Sequence, residues 1–238
     1  VDVDDCVFTG GVRTQVTIDS ETYLGVGLDL LGSTSGIVAN SLFTSNDGDG
    51  LRTAGTSDVS VVGNEASGNA IGITVESDST PALEGNDASR NDIFGIFYIS
   101  NGAGTASGNT ITDNGVDGVM VQGAAGPTLS GNTVQGNVGK GIWLRESATA
   151  TLTGNTIDGN GNDGIAFGGA ASGSADDNII GRNSNALGIR VSSSSPVSVS
   201  GNTITNVFQV GIFFDTGTTG SVTGNTVQDT EIQGILAA

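Results

Sequence analysis

Apolar and polar residues alternate along this chain in short runs, and the alternation recurs with a period near 23 residues. Near the middle, Gly131-Asn132-Thr133-Val134 is followed by Gly141-Ile142-Trp143-Leu144, and the rest of the sequence varies that pair. The Asn recurs as Asn40, Asn64, Asn86, Asn109, Asn132, Asn155, Asn178, Asn202 and Asn225, in steps of 22 to 24 residues. The second Gly stands 14 residues before the next Asn in every repeat. A fixed period with its slack confined to one corner predicts a solenoid of strands.

Alternation assigns side-chain direction. Four columns are expected to point inward. They run from Ile37 to Val222 (three residues before each Asn), from Leu42 to Val227 (two after it), from Leu51 to Ile235 and from Thr53 to Ala237 (one and three after the Gly). One coil cannot bury enough apolar surface to stand alone, so stability is expected to be shared between neighbours. The Asn column reads as structural, because Asn tolerates left-handed backbone and its amide can bond the Asn above and below. A second column, Asn46 to Asn183, follows five or six residues behind the first.

Asp5-Cys6-Val7-Phe8 falls on the same slots, with Cys6 in the Asn position. The step from Cys6 to Asn40 is 34 residues, which predicts an insertion, a loop or small hairpin, within 10–23. The chain 1–238 reads as one elongated all-β domain of about ten coils.

Composition narrows the partners. A net charge of −18 with 7 Lys and Arg leaves almost nothing to neutralise phosphates, so no nucleic acid is expected. Cys6 is the sole cysteine, which excludes an internal disulfide. No apolar run is long enough to span a membrane. The acidic, lysine-poor composition suits an extracellular or cell-surface setting. Val1 in place of Met reads as a processed or trimmed end.

The Gly-Asn-Thr-Ile and Gly-Ile-x-Val elements on this period resemble right-handed parallel β-helix repeats of the pectin-lyase-like superfold, over about residues 24–238. The resemblance implies a right-handed helix and a set of functions that includes polysaccharide lyases, polygalacturonases, mannuronan epimerases, tailspikes and adhesins. The epimerases and polygalacturonases place a His in their active-site motifs, and this chain has no His. Pectate lyases use a calcium-binding carboxylate cluster with an Arg as base. Arg145 and Arg190 have no such cluster in their columns, and Glu146 should project elsewhere. A non-catalytic structural protein is therefore the first expectation, a fibre subunit or surface scaffold. A carbohydrate-binding or divergent polysaccharide-modifying β-helix is the alternative.

Specific residues carry these expectations. Phe97, Met120 and Trp143 are predicted outward on three consecutive coils, with Ile99 and Arg145 beside them, an apolar patch that marks a contact for protein or glycan. Asp117, Lys140 and Asp163 should stack as local charge balance. Asp47 and Asp49 loosely suggest a calcium loop but lack its closing Glu. No other metal or cofactor is implied. A threonine column through Thr110, Thr133 and Thr156 raises ice binding but is broken at Ile179. At the ends, Val1 and Val3 are expected to meet Ile235, Leu236 and Ala237 of another copy in a head-to-tail homopolymer.

Overall fold

A computed structural model describes residues 1–11, 16–18, 21–23, 25–184 and 186–238, with no side chains described for 16–18 and 21–23. The described chain winds into three parallel sheets with no helix. The first sheet has ten strands, from Asp2–Asp4 to Gly220–Thr223. The third also has ten, from Leu28–Leu30 to Gln233–Ala237. Between them lie three short strands starting at Val7–Thr9, a lone bridge at Asp87, and six more strands ending at Thr226–Gln228. The result is about nine turns rather than ten coils, since ten strands on a face bound nine intervals. Within the expected insertion, Val16–Ile18 pairs antiparallel with Glu21–Tyr23. Gly11 at its start donates its N–H to Asn46 Oδ1 at 3.0 Å, and 12–15 and 19–20 lie outside the described residues.

Like stands over like. Ile96, Val119, Ile142, Ile165 and Ile189 pair in register, and each is at most 1% exposed. Leu83, Ala106, Leu129 and Leu152 form a second such stack, and Ile111, Val134, Ile157 and Ile180 a third. Neighbouring rungs sit ~4.8 Å apart, so each apolar side chain is covered above and below.

The Asn side chains hold the corner. The Asn109 backbone N–H and its Nδ2 both donate to Asn132 Oδ1, at 3.0 and 2.9 Å. Asn109 Nδ2 also donates to the Leu83 carbonyl at 3.0 Å. Asn132 repeats all three bonds, to Asn155 and the Ala106 carbonyl. The chain of amides runs from Asn64 to Asn225. A second one runs from Asn46 to Asn183. It stops where Val207 fills the next slot, leaving Asn183 Nδ2 buried without an acceptor.

Two expectations are corrected here. The left-handed residue is the one before the amide, as at Gly131 with φ 61°. Asn40 has φ 48° and occupies that preceding place, exposed, with its Nδ2 on Asp4 Oδ1. Ser41 stands in the amide slot instead, its N–H on Asn64 Oδ1 and its Oγ accepting from Cys6 N. The phase of this coil therefore slips by one. Val38 and Phe43 are fully buried, while Ile37 is 50% exposed and Leu42 faces outward.

Asn132→Ala removes the acceptor for two buried donors of Asn109, at ~1–3 kcal/mol each. Its urea midpoint is expected to drop well below that of the parent. Asn40→Gly suits the left-handed backbone and gives up only an exposed bond, so its midpoint should move by less than ~0.5 kcal/mol. Comparable losses in both variants would contradict this assignment.

Candidate functional site

The outer face of the third sheet carries most of the chemistry. Its central column reads Asp29, Arg52, Thr74, Phe97, Met120, Trp143, Ala166, Arg190, Phe213 and Leu236, set by the strand register. Three zones follow one another along the rod.

At the N-terminal zone, Arg52 Nε lies 3.4 Å from Asp29 Oδ1 and 3.6 Å from Glu76 Oε2. Burial raises the Asp29 carboxyl above its ordinary range, partly offset by Arg52 and reinforced by Glu76. Burial also raises Asp49 on the adjoining strand position, with the Thr74 hydroxyl and Arg52 pulling the other way.

The middle zone is aromatic. Phe94 and Phe97 pack with centroids 5.3 Å apart, tilted by 48°. Trp143 is half-buried, with Lys140 Nζ 4.4 Å and Arg145 Cζ 5.2 Å from its ring centroid. Met120 points outward as expected but is only 3% exposed, because it fills the gap between the rings on the rungs either side. The exposed patch is thus Phe97, Ile99 and Trp143, all half-buried. Glu146 does not project elsewhere. Its carboxylate lies 3.7 Å from Arg145 Nε and accepts from Gln122 Nε2 at 2.7 Å. In the C-terminal zone Arg190 faces Asp215 at 4.0 Å.

Asp117 and Asp163 are not exposed charge balance. Each is 3% exposed. Asp117 Oδ1 accepts from the Lys140 backbone N–H at 2.6 Å, and Asp163 Oδ1 from that of Leu187 at 3.1 Å. The second oxygen of each is buried without a partner. Burial raises both carboxyls, and the hydrogen bonds and Lys140 offset part of the rise.

The remaining predicted residues stay apart from this face or from one another. Asp47 is exposed, whereas Asp49 belongs to the third sheet. Among the described residues, no three His, Cys, Asp or Glu side chains are grouped to hold a metal ion. Val1 is exposed and Val3 packs partly against the core. Ile235 and Ala237 are exposed on the last strand, with Leu236 half-buried. The Asp29, Asp49 and Glu76 grouping around Arg52 escaped the sequence reading. Extending the outward column by one rung, from Arg52 back to Asp29, would have exposed it.

The family described as "Right handed beta helix region" matches residues 2–149 and 94–238. Among solved structures, the chain is similar to the A-module of mannuronan C-5 epimerase AlgE4 from Azotobacter vinelandii. The TM-score is 0.63 at 15% identity, covering 99% of this chain and 83% of that one. A periplasmic alginate epimerase, AlgG, gives a TM-score of 0.46 at 13% identity, covering 91% and 80%. At these identities the likeness to the first concerns the fold. No curated protein matches the sequence.

A carboxyl with a raised folded pKa binds its proton more tightly folded than unfolded. Its contribution to stability therefore grows as pH falls through the folded value toward the ordinary 3.8. The double variant Asp117→Asn, Asp163→Asn keeps the Oδ1 acceptors but cannot titrate. Between pH 7 and the ordinary 3.8 the urea midpoint of the parent should gain on that of the variant, and no gain would contradict the buried-carboxylate assignment.

Proposed function

We propose that this chain, which belongs to the right-handed β-helix family, binds a polysaccharide laid along the outer face of its third sheet. One observation carries the reading. Of the 7 cationic side chains on a chain of net charge −18, Arg52, Lys140, Arg145 and Arg190 lie on this one face. They are interleaved there with Phe94, Phe97 and Trp143.

Aromatic faces take the apolar side of a sugar ring, while fixed carboxylates and guanidinium groups take its hydroxyls. Rungs repeating every ~4.8 Å suit a ligand that is itself a repeating chain. The A-module of the mannuronan epimerase, a protein named for a polysaccharide, shares the fold. We read the role as binding without chemistry, by an extracellular protein whose residues 1–238 act as one unit. The absence of His supports this. So does the arrangement of the acids on the face, where Asp29, Glu76, Glu146 and Asp215 each sit against an Arg.

Affinity electrophoresis through gels holding different soluble polysaccharides tests the proposal. At least one polymer should retard the parent. Trp143→Ala should weaken that retardation roughly tenfold, the loss expected for an aromatic platform, with an unchanged circular dichroism spectrum. No retardation by any polymer, or equal retardation of the variant, would count against this face.

A further inference from the structure

The first sheet presents a surface that the polysaccharide reading does not use. Six consecutive strands, from Thr105–Ser107 to Gly220–Thr223, each carry two outward positions, two residues apart. Asp176 takes one of these twelve places, and Ser or Thr takes every other. Thr105-Ala106-Ser107 and Thr151-Leu152-Thr153 show the form, a hydroxyl on either side of a buried apolar residue. The threonine column of the second sheet is single and broken at Ile179, whereas this array is two columns wide. The repeat itself does not demand it, since Val62, Ala82 and Glu84 fill the same places on earlier rungs. On a chain with 25 acidic residues, a face this long with one carboxylate departs from the rest of the surface.

The hydroxyls are held in two dimensions. Rungs stand ~4.8 Å apart, and positions two apart along a strand are separated by about 6.6 Å. Oxygens on a prism face of hexagonal ice repeat at intervals close to both. β-Branched Thr is stiff at χ1, so stacked copies present one orientation. On three successive rungs, the side chains of Thr105, Ser107, Thr128, Ser130, Thr151 and Thr153 make no hydrogen bond among the described residues. Each keeps one donor and two acceptor sites for water. The C-terminal rungs are partly closed on themselves, with Ser198 Oγ 3.2 Å from Ser221 Oγ and Ser200 Oγ donating to Asp176. A single hydroxyl gains little by exchanging one water for another. A rigid array gains more, because many ordered positions are engaged at once.

We propose that the outer face of the first sheet binds ice, centred on the exposed Thr105, Thr128 and Thr151. The outward positions of these six strands offer no cation for a polyanion, no aromatic ring for a sugar and no large apolar side chain for a protein partner. The surface of a water crystal needs none of these. It needs hydroxyls at a fixed pitch, with few charges to bind water in competing orientations. The inference uses a different sheet from the polysaccharide reading and does not depend on it.

Slow growth of an ice hemisphere from a dilute solution of the whole chain tests this. Emission from Trp143, the only tryptophan and on the third sheet, measures the protein in the ice and in the remaining liquid. The parent should enter the ice at or above its concentration in the liquid, while an inert protein of similar size is excluded. Thr128→Tyr and Thr151→Tyr each put a ring into the array at an exposed strand position, where Tyr is well tolerated. Each should be excluded like the inert protein, with the circular dichroism spectrum and urea midpoint of the parent. Thr133→Tyr, the same change on the second sheet, should enter the ice as the parent does. Exclusion of the parent overturns the proposal, and sedimentation of the parent with crystalline cellulose or chitin would then name the surface this face takes instead. Entry of both folded face variants at the parent's level, or exclusion of Thr133→Tyr, overturns the assignment to this face. Each of these outcomes leaves the polysaccharide reading standing.

Discussion

A buried primary amide is costly unless every hydrogen and lone pair is used, and here the repeat uses them all. Each interior Asn accepts a backbone N–H and an Nδ2 hydrogen from the rung before. It then sends its own pair to the rung after and its last hydrogen to a carbonyl of the previous turn. The arrangement works only if the corner returns directly over itself on every turn, and turns of 22, 23 and 24 residues all keep it there. That requirement fixes register, and register in turn stacks Ile on Ile and Leu on Leu around the core. Where the requirement lapses the structure shows a cost. Val207 ends the second ladder and strands the Asn183 amide.

Once register is fixed, the outer faces are fixed too. A solenoid gives each outward column one residue per rung, so a surface can be composed position by position without touching the core. The third sheet uses this freedom. Its outer column passes from a guanidinium among acids, through aromatic rings, to another Arg–Asp pair. On the rungs beside Trp143, two carboxylates are drawn inward to cap backbone N–H groups. Lys140 stands between Asp117 and Asp163, and its ammonium offsets part of the rise that burial gives both carboxyls.

Much of this was legible in the sequence because stacking repeats a chemical choice at a constant interval. The amide ladder from Asn64 onward and the inward columns follow from period and alternation alone. The slip at Asn40 was not legible, because Asn can occupy either the amide slot or the left-handed position before it, and Ser41 can stand in for an amide. Direction was also easier to read than exposure. Met120 does face outward, yet it is closed over by larger neighbours on adjacent rungs. The same limit hid Asp117 and Asp163, whose burial depends on how the corner folds over them. Glu146 lies after the last residue of its strand, where alternation no longer assigns a direction, and Arg145 draws its carboxylate in.

The central claim is that shared amide hydrogens lock successive turns together, and side-chain hydrogen exchange tests it most directly. In a protein labelled with ¹⁵N at Asn, the Nδ2 hydrogens of Asn86, Asn109, Asn132 and Asn155 should exchange as slowly as the core backbone amides, while those of exposed Asn40 and Asn101 exchange quickly. Rapid exchange at the ladder positions would show that the amides are not shared between turns, and the account of register and of the faces built on it would fail.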